Sequence, residues 1–293
     1  MKLWHTREDL QGLEEIRRSG PLVLVPTMGA LHEGHLDLVR LGSELGQVLV
    51  TVFVNPTQFG PKEDFGSYPR TLERDLELLS KLPVAGVFAP DTSEIYGDNQ
   101  EVTVQPGHRG QGLCGGDRPG HFAGVLTVVA KLFGLTQPDI CIFGRKDAQQ
   151  CLVIGQMVQD LKMPVQLVDA PTRREDDGLA MSSRNRYLSP EQRRQALCLS
   201  RALSTGKQLL MDGCRKRTEI LDAMMGVLKE ADQLEYAEIR QVPDLGQPEI
   251  INGRTLLAVA ARVGPARLID NFVLQVNDNQ VSDSYLLGTG RIS

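Results

Sequence analysis

The residues best suited to chemistry are two histidines, His32 and His35, separated by Glu33 and Gly34. They follow a short apolar run and open a helix-like stretch, so both imidazoles are expected on the same side. Gly34 and the earlier Gly29 would let a ligand approach the backbone closely. A helix N-terminus also favours phosphate through its partial positive charge. This segment therefore predicts imidazoles that stabilise negative charge developing on a phosphate.

Zinc binding is the competing interpretation of a histidine pair. The spacing His-Glu-Gly-His is one residue shorter than the His-Glu-x-x-His with which one helix face binds a metal. We therefore expect no metal to be held by protein side chains. A histidine pair is often structural, but a position directly after the first strand of a parallel sheet favours a functional role.

Neutral amides follow a second apolar run. Asn55 and Gln58 lie in the segment Phe-Val-Asn-Pro-Thr-Gln-Phe-Gly. Their groups can orient hydroxyls and a carboxylate without a fixed charge. Asn-Pro-Thr alone is an ordinary turn, but its place at the carboxyl end of a predicted strand favours contact with a substrate.

Two further segments carry cations beside small residues. In the first, Gly144 and Arg145 precede Lys146 and Asp147, as in a turn that faces phosphate, and Asp147 could bind ribose hydroxyls or magnesium-bound water. In the second, a polar loop contains Met181, Ser182, Ser183 and Arg184, where two hydroxyls and a cation could close over a triphosphate. A solvated charged linker is the alternative for this loop.

The elements that must position these residues alternate in type. Continuous apolar runs predict buried parallel strands, and leucines and valines at helical spacing predict helices between them. The predicted strands are residues 22–25, 48–54, 84–89, 140–143 and 165–168, and the helices lie around 34–45, 72–79, 122–133 and 154–161. This order predicts an α/β fold with a doubly wound, parallel, Rossmann-like sheet, in which ligands bind at the carboxyl ends of the strands.

A change of character after Asp169 predicts a second domain. Residues 171–188 form a polar loop, followed by helices at 190–211 and 217–231 and by β-rich segments at 235–242, 256–263 and 268–276. We therefore expect a Rossmann-like domain over residues 1–172, which binds the nucleotide and the substrate, and a smaller α/β domain over residues 173–293.

Composition limits the possible partners. The chain has 293 residues, a net charge of −5 and five widely spaced cysteines without a Cys-x-x-Cys pair. An acidic chain is not expected to bind nucleic acid or an anionic membrane as its main partner. The charged start of the chain and the lack of long apolar runs, together with the cysteine pattern, predict a cytoplasmic protein with free thiols.

Five segments together resemble the pantothenate synthetase family. They are residues 25–35, 53–60, 118–122 (Arg-Pro-Gly-His-Phe), 143–150 and 177–188. The histidine pair is similar to the His-x-Gly-His motif of nucleotidyltransferases, and Met-Ser-Ser-Arg is similar to their Lys-Met-Ser-Lys-Ser loop. The resemblance implies that the chain uses ATP and Mg²⁺ to activate pantoate as an adenylate, which the amine of β-alanine then attacks. It also implies a homodimer in which the C-terminal domain acts as a lid.

The family's site residues can be carried over by motif. His32 and His35 would face the phosphates, with His35 as proton donor, and Lys146 and Arg184 would complete the catalytic set. Gln58 and Gln150 would hold pantoate, with Gln58 also near β-alanine, and Asn55 would join them. The implied ATP-binding residues are Met28, Gly29, Ala30, Leu31, His32, Glu33, Gly34, His35, Gly144, Arg145, Lys146, Asp147, Arg173, Met181, Ser182, Ser183 and Arg184.

Two positions depart from the family pattern. Arg145 stands where the family usually has Glu, and Arg173 replaces an aliphatic residue whose backbone touches the adenine. We expect the side chain of Arg145 to point away from the nucleotide, toward the rim or a neighbouring element, as an exposed charge.

Two other functions remain open from the sequence alone. A nucleotidyltransferase with a phosphate acceptor would use the same histidines but leave Asn55, Gln58 and Gln150 unexplained. A nucleotide-sensing module would keep the glycines but would not need His32, His35, Lys146 and Arg184 together.

Overall fold

The computed structural model describes residues 1–61, 63–278 and 280–287. The chain divides into two compact units. The first unit comprises Met1–Gln111, Arg118–Gly144 and Gln150–Ala170, and the second comprises Gly112–Asp117, Arg145–Gln149 and Pro171–Ser293. Each unit is built around its own sheet.

The first unit contains a six-stranded sheet in which every neighbouring pair of strands is parallel. Its strands are β1 (Lys2–Trp4), β2 (Leu22–Thr27), β3 (Gln47–Val52), β4 (Val84–Phe88), β5 (Ile140–Gly144) and β6 (Gln166–Ala170). They lie in the order β1-β4-β3-β2-β5-β6. Leu22 to Val25 are fully buried, as expected for a central parallel strand covered on both faces. The order reverses between β2 and β5, and ligands of open α/β sheets bind at such a point.

Helices connect these strands. In chain order they are α1 (Leu13–Arg17), α2 (Glu33–Leu45), α3 (Leu72–Leu79), α4 (Thr92–Ile95), α5 (Leu113–Asp117), α6 (His121–Thr136) and α7 (Ala148–Asp160), of which α5 belongs to the second unit. Apolar residues of α2, among them Leu36 and Val39, pack against Val23, Val25 and Val50 of the sheet. In the described part of the chain, no helix is both long enough and apolar enough to cross a membrane.

The second unit contains a four-stranded antiparallel sheet and two long helices. The helices are α8 (Pro190–Met211) and α9 (Arg217–Leu228), and the strands are β7 (Gln233–Gln241), β8 (Gly253–Val263), β9 (Ala266–Asn277) and β10 (Gln280–Asp283). The strands lie in the order β10-β9-β8-β7. Buried side chains of α8, α9 and the sheet, such as Leu203, Met224 and Val259, form one hydrophobic core.

The predicted fold class is confirmed: a parallel, doubly wound α/β sheet is accompanied by a smaller α/β unit. α8 has the predicted bounds, and the other long elements match their expected positions except α7, which begins at Ala148, before the predicted stretch 154–161. Sequence patterns missed β1 and β10, because strands of three and four residues are too short for periodicity. The assignment of binding roles to residues 1–172 and 173–293 stays a prediction.

Candidate active site

The histidine pair lies where β2 passes into α2. His32 is the N-cap of α2, with an extended backbone, and its carbonyl accepts from the N–H of His35 at 2.8 Å and of Leu36 at 3.1 Å. The backbone N–H of His32 also donates to Nδ1 of His35 over 3.4 Å. The two rings are stacked, with centroids 4.0 Å apart and planes inclined by 28°. Both imidazoles therefore lie together at the positive end of a helix.

A buried carboxylate of α3 shapes the loop that leads to the histidines. Asp75, which is 0% exposed, accepts from the N–H of Ala30 at 2.9 Å and of Leu31 at 2.8 Å. Gly29 and Ala30 have positive φ angles of 77° and 51°. A Cβ on Gly29 would lie 3.1 Å from Oδ2 of Asp75, so only glycine fits this turn without displacement. Asp75 thus holds the backbone between β2 and the histidines in its strained conformation.

The amides predicted to bind substrate follow β3, the strand beside β2. Asn55 is only 1% exposed, and its amide forms hydrogen bonds with Gln58, Gly124, Thr57 and Tyr96. One of these bonds joins its Nδ2 to Oε1 of Gln58 over 3.0 Å. As a substrate contact Asn55 stays a prediction, and its internal hydrogen bonds favour a role in orienting Gln58.

Gln58 also contacts the loop that precedes the histidines. Its Nε2 lies 3.1 Å from the sulfur of Met28, which follows β2. The structure therefore brings the amide pair next to a predicted ATP-binding residue of the first unit.

Residues of the Arg-Pro-Gly-His-Phe segment support this amide through the backbone of its turn. The backbone carbonyl of Gln58 accepts from Nδ1 of His121 at 2.8 Å and from a guanidinium nitrogen of Arg118 at 3.2 Å. Arg118 also donates to both carboxylate oxygens of Glu63, each over 2.6 Å. Burial would raise the pKa of Glu63, but the hydrogen bonds and charge of Arg118 outweigh burial and lower the pKa to about 2. Glu63 is therefore ionised and anchors Arg118 against the turn.

The predicted phosphate-facing turn directly follows β5 in the chain. Arg145 to Asp147 form one 3-10 turn before α7. Lys146 is half-buried and Asp147 is exposed, and Gln150 lies in the first turn of α7. The carbonyls of Arg145 and Lys146 accept from Nδ2 of Asn271, at 3.1 and 2.8 Å.

The side chain of Arg145 turns to a neighbouring element of the second unit. Its guanidinium carbon lies 4.9 Å from the centre of the Tyr285 ring, a cation–π arrangement. The residue is half-buried and one of its terminal nitrogens is fully buried. The expected exposed charge is thus corrected to a partly buried one that is stacked on an aromatic ring.

The predicted polar loop, residues 171–188, contains a short hairpin, which we call the Arg174 hairpin, closed by a single bridge. Arg174 pairs with Ala180 in an antiparallel bridge, and the N–H of Met181 donates to the carbonyl of Arg173 over 2.9 Å. Two predicted ATP-binding residues are therefore adjacent. Ser182 then caps a 3-10 turn, Ser183–Tyr187, by accepting from the N–H of Arg184 at 3.3 Å.

The hairpin is anchored to β9 by an ion pair. Arg174 binds both carboxylate oxygens of Asp270, at 2.7 and 2.9 Å, and it stacks over the Phe272 ring. Burial raises the pKa of Asp270, although Arg174 opposes this increase.

Side chains that commonly ligate metals form no cluster that could hold an ion in the described part of the chain. Within residues 1–61, 63–278 and 280–287, no three His, Cys, Asp or Glu side chains converge as a metal site. All five cysteines are free thiols.

Sequence reasoning missed several supporting residues: Glu63, Asp75, Arg118, His121, Asp270 and Asn271. A signal existed for Asp75, which occupies the same helical stripe as Leu72, Leu76 and Leu79. An acid on an apolar stripe indicates a buried carboxylate that needs partners. Asp270 and Asn271 gave a similar signal, as two polar residues inside an apolar strand.

Comparison with known proteins identifies the family. Residues 2–273 match the family model described as pantoate-beta-alanine ligase. A pantothenate synthetase of Carboxydothermus hydrogenoformans is 47% identical over 268 residues, which cover 90% of this chain and 95% of the relative.

Solved structures agree with this match. A pantothenate synthetase from Thermus thermophilus superposes with a TM-score of 0.88 at 43% identity, covering 92% of this chain and 98% of that one. A pantoate-beta-alanine ligase from Francisella tularensis, described as complexed with beta-gamma ATP and beta-alanine, has a TM-score of 0.76 at 32% identity and covers 93% of this chain and 97% of that one. The model match and the high identity over nearly the whole chain show that this protein belongs to the pantoate-β-alanine ligase family.

Proposed function

We propose that the chain joins pantoate to β-alanine through an enzyme-bound pantoyl-adenylate, with ATP as the activating substrate. A carboxylate oxygen of pantoate attacks the α-phosphorus of ATP, and the bond from that phosphorus to the bridging oxygen breaks, so pyrophosphate leaves. The neutral amine of β-alanine then attacks the acyl carbon. AMP leaves with the electrons of the acyl–oxygen bond, and the nitrogen loses one proton as the amide forms.

The observation that carries this proposal is the stacked histidine pair at the N-terminus of α2. His32 and His35 have ring centroids only 4.0 Å apart, beside backbone N–H groups of the helix start. Such donors stabilise charge that develops on the phosphates when pyrophosphate departs. His35, as proton donor, would act on an oxygen of the leaving group.

The remaining ATP contacts follow from the chemistry of each segment. Lys146 and Arg184 supply cations for the triphosphate, and the hydroxyls of Ser182 and Ser183 supply donors. ATP enters as its Mg²⁺ complex, and Asp147 is exposed and can accept hydrogen bonds from ribose or from magnesium-bound water. The other proposed ATP contacts are Met28, Gly29, Ala30, Leu31, Glu33, Gly34, Gly144, Arg145, Arg173 and Met181.

Pantoate would be oriented by amide side chains. Gln58 and Gln150 are half-buried, and their amides can donate to a carboxylate and exchange hydrogen bonds with hydroxyls. Gln58 would also contact β-alanine. Asn55 would support this arrangement through its hydrogen bond to Gln58.

Cytoplasmic location and a homodimer are part of the same proposal. Both rest on family membership, and the four buried cysteine thiols are compatible with a reducing compartment. Light scattering coupled to size-exclusion chromatography would measure the mass in solution. A mass of one chain at all protein concentrations would contradict the dimer.

A product assay tests the function directly. Purified protein is incubated with MgATP, pantoate and β-alanine, and nucleotides and acids are separated by chromatography. We expect pantothenate and AMP in equal amounts, only when all three substrates are present. ADP as the product, or a dinucleotide without pantothenate, would overturn the proposal.

A further inference from the structure

Two consecutive buried polar residues stand out in the middle of β9. Asp270 is 3% exposed and Asn271 is 5% exposed. They pair across the sheet with Val259 and Ala258 of β8, in the interior of the second unit. Asp and Asn are depleted in strands, and buried polar groups are retained only where they find partners. The contacts of these two side chains therefore indicate what they are for.

Asn271 holds the turn that carries Lys146. Its Nδ2 donates to the carbonyl of Arg145 at 3.1 Å and to that of Lys146 at 2.8 Å. Both hydrogens of the amide are used by two consecutive carbonyls, so the peptide groups on either side of Lys146 are fixed. The side chain of Lys146 then leaves the backbone from a defined position.

Asp270 holds the hairpin that precedes Met181 to Arg184. Its carboxylate binds the guanidinium of Arg174 at 2.7 and 2.9 Å, and Arg174 donates onward to the carbonyl of Gly178 at 3.0 Å. Bidentate arginine–carboxylate pairs fix orientation as well as distance. The N–H of Asn271 also donates to Asp270 over 2.7 Å, which couples the two side chains.

The two segments held by this pair also share a small cavity. Among the residues that line a space of about 10 Å³ are Lys146, Ser182, Asn185 and Asp270. A space of that size holds about one water molecule. The Lys146 turn and the serine segment are thus neighbours within the second unit, and β9 contacts both.

We propose that Asp270 and Asn271 are positioning residues of the adenylation step: through one strand they fix the Lys146 turn and the Met181–Arg184 segment in a single arrangement. The inference rests on the proposed function, because it assigns those segments to the phosphates of ATP. Neither residue contacts substrate itself. They act by keeping cations and hydroxyls in place before ATP binds.

The main test replaces Asn271 with leucine, which keeps the branched shape and the number of heavy atoms of the side chain but removes both donors. Pantoate-dependent exchange of labelled pyrophosphate into ATP would measure the first step. Misplacing a group by about 1 Å can reduce a rate about a hundredfold, so we expect kcat to fall roughly 10- to 100-fold. The KM for pantoate should change less than kcat, because Gln58 lies outside the turn that Asn271 holds.

A matched control exists on the same strand. Gln275 carries a half-buried amide whose Nε2 donates to Asn277 rather than to either segment. Gln275→Leu should leave kcat and both KM values near those of the unsubstituted chain. Equal losses in Gln275→Leu and Asn271→Leu would overturn the positioning role, because they would indicate general damage to β9.

Asp270→Asn tests the other half of the pair. It keeps the shape of the side chain but removes the charge that binds Arg174. In the pyrophosphate exchange assay, this variant should again have a lower kcat and little change in its affinity for pantoate. Hydrogen–deuterium exchange gives a readout without activity: amides of residues 145–149 should exchange faster in Asn271→Leu, and those of residues 174–181 should exchange faster in Asp270→Asn.

The outcomes separate the two proposals. If the unsubstituted chain shows no pantoate-dependent exchange, the proposed function fails, while deuterium exchange still measures whether the pair holds its segments. If that chain is active and Asn271→Leu keeps its kcat and its protection at residues 145–149, the positioning role is wrong.

Discussion

His35 provides the most direct test of the phosphate chemistry. His35→Ala removes an imidazole that stacks on His32 at the start of α2. Losing one donor at a site of developing charge reduces kcat by roughly 10²–10³, and we expect that loss in the pyrophosphate exchange rate. His108→Ala, at an exposed histidine outside the candidate site, is the control. A fully active His35→Ala enzyme would rule out the assigned role.

Gln58 allows pantoate recognition to be separated from ATP recognition. Gln58→Ala removes the side-chain amide but keeps the backbone carbonyl that His121 and Arg118 bind. The turn should therefore persist, and affinity for pantoate should fall by about tenfold or more, the equivalent of one or two hydrogen bonds. Isothermal titration of both ligands measures this. A loss confined to ATP would contradict the assignment.

Asp75 shows how a residue without substrate contact can determine the site. Asp75→Asn places an amide group against the N–H groups of Ala30 and Leu31, one of which then has no acceptor. An unsatisfied buried donor costs about 1–3 kcal/mol, and we expect lower stability together with at least a tenfold loss of kcat. Urea unfolding measures the stability, and the rate of pyrophosphate exchange into ATP measures kcat. Glu73→Gln, at an exposed position of the same helix, should change neither.

At the scale of elements, helix α6 packs against the turn Pro56–Gln58, and an ion pair holds them together. A Cβ on Gly124 of α6 would lie 2.3 Å from the carbonyl oxygen of Thr57, so the helix and the turn are in direct contact. Arg118, just before α6, fastens the same turn through Glu63. The ionised carboxylate of Glu63 is therefore part of the structure that presents Gln58.

The lowered pKa of Glu63 gives the sign of a pH dependence. The pKa of Glu63 is about 2 in the folded chain and 4.5 for a glutamate without partners, as in the unfolded chain. The ion pair between Glu63 and Arg118 therefore stabilises the fold above about pH 4.5. That contribution, about 3 kcal/mol before screening by solvent reduces it, is lost as the pH falls toward 2. Urea unfolding between pH 6 and about pH 2.5 should show a steeper loss in the unsubstituted chain than in Glu63→Gln. Parallel curves would show that the ion pair contributes nothing.

The Arg174 hairpin illustrates how a polar loop can be ordered without a pattern in its own sequence that predicts this order. Its sequence has many charges and little hydrophobic periodicity, which ordinarily indicates a solvated connection. Its conformation is fixed by ion pairs with residues outside the segment. Arg174 binds Asp270, and Arg193 binds Glu175 at 2.6 Å. Local patterns contain no information about such distant partners, so the hairpin could not be predicted.

For the whole molecule, the two-step scheme makes a prediction that direct ligation does not share. Pantoate alone should support exchange of labelled pyrophosphate into ATP, since the first step is reversible on the enzyme. The exchange is measured by separating ATP from pyrophosphate with β-alanine absent. Label that enters ATP only when β-alanine is added would exclude a separate acyl-adenylate.

The sequence alone determined the fold class and the candidate residues. Fully apolar runs such as residues 22–25 indicate strands covered on both faces, and the spacing of Leu72, Leu76 and Leu79 indicates a helix between strands. Because parallel strands align their carboxyl ends, the residues that follow them, including His32 and Gln58, were expected at one edge of the sheet. Strand and helix positions are local properties, so the spacing of apolar residues is enough to predict them.

Tertiary structure alone decided which residues support the site. The strand order β1-β4-β3-β2-β5-β6 places β2, the strand that leads to the histidines, between β3 and β5, and no local pattern specifies that order. Asp75 reaches Ala30 across 45 residues of chain, and Asn271 reaches Lys146 across 125. Such contacts form because buried polar groups must find partners wherever the folded backbone presents them. The sequence shows that a buried acid or amide needs a partner, and only the packed chain identifies that partner.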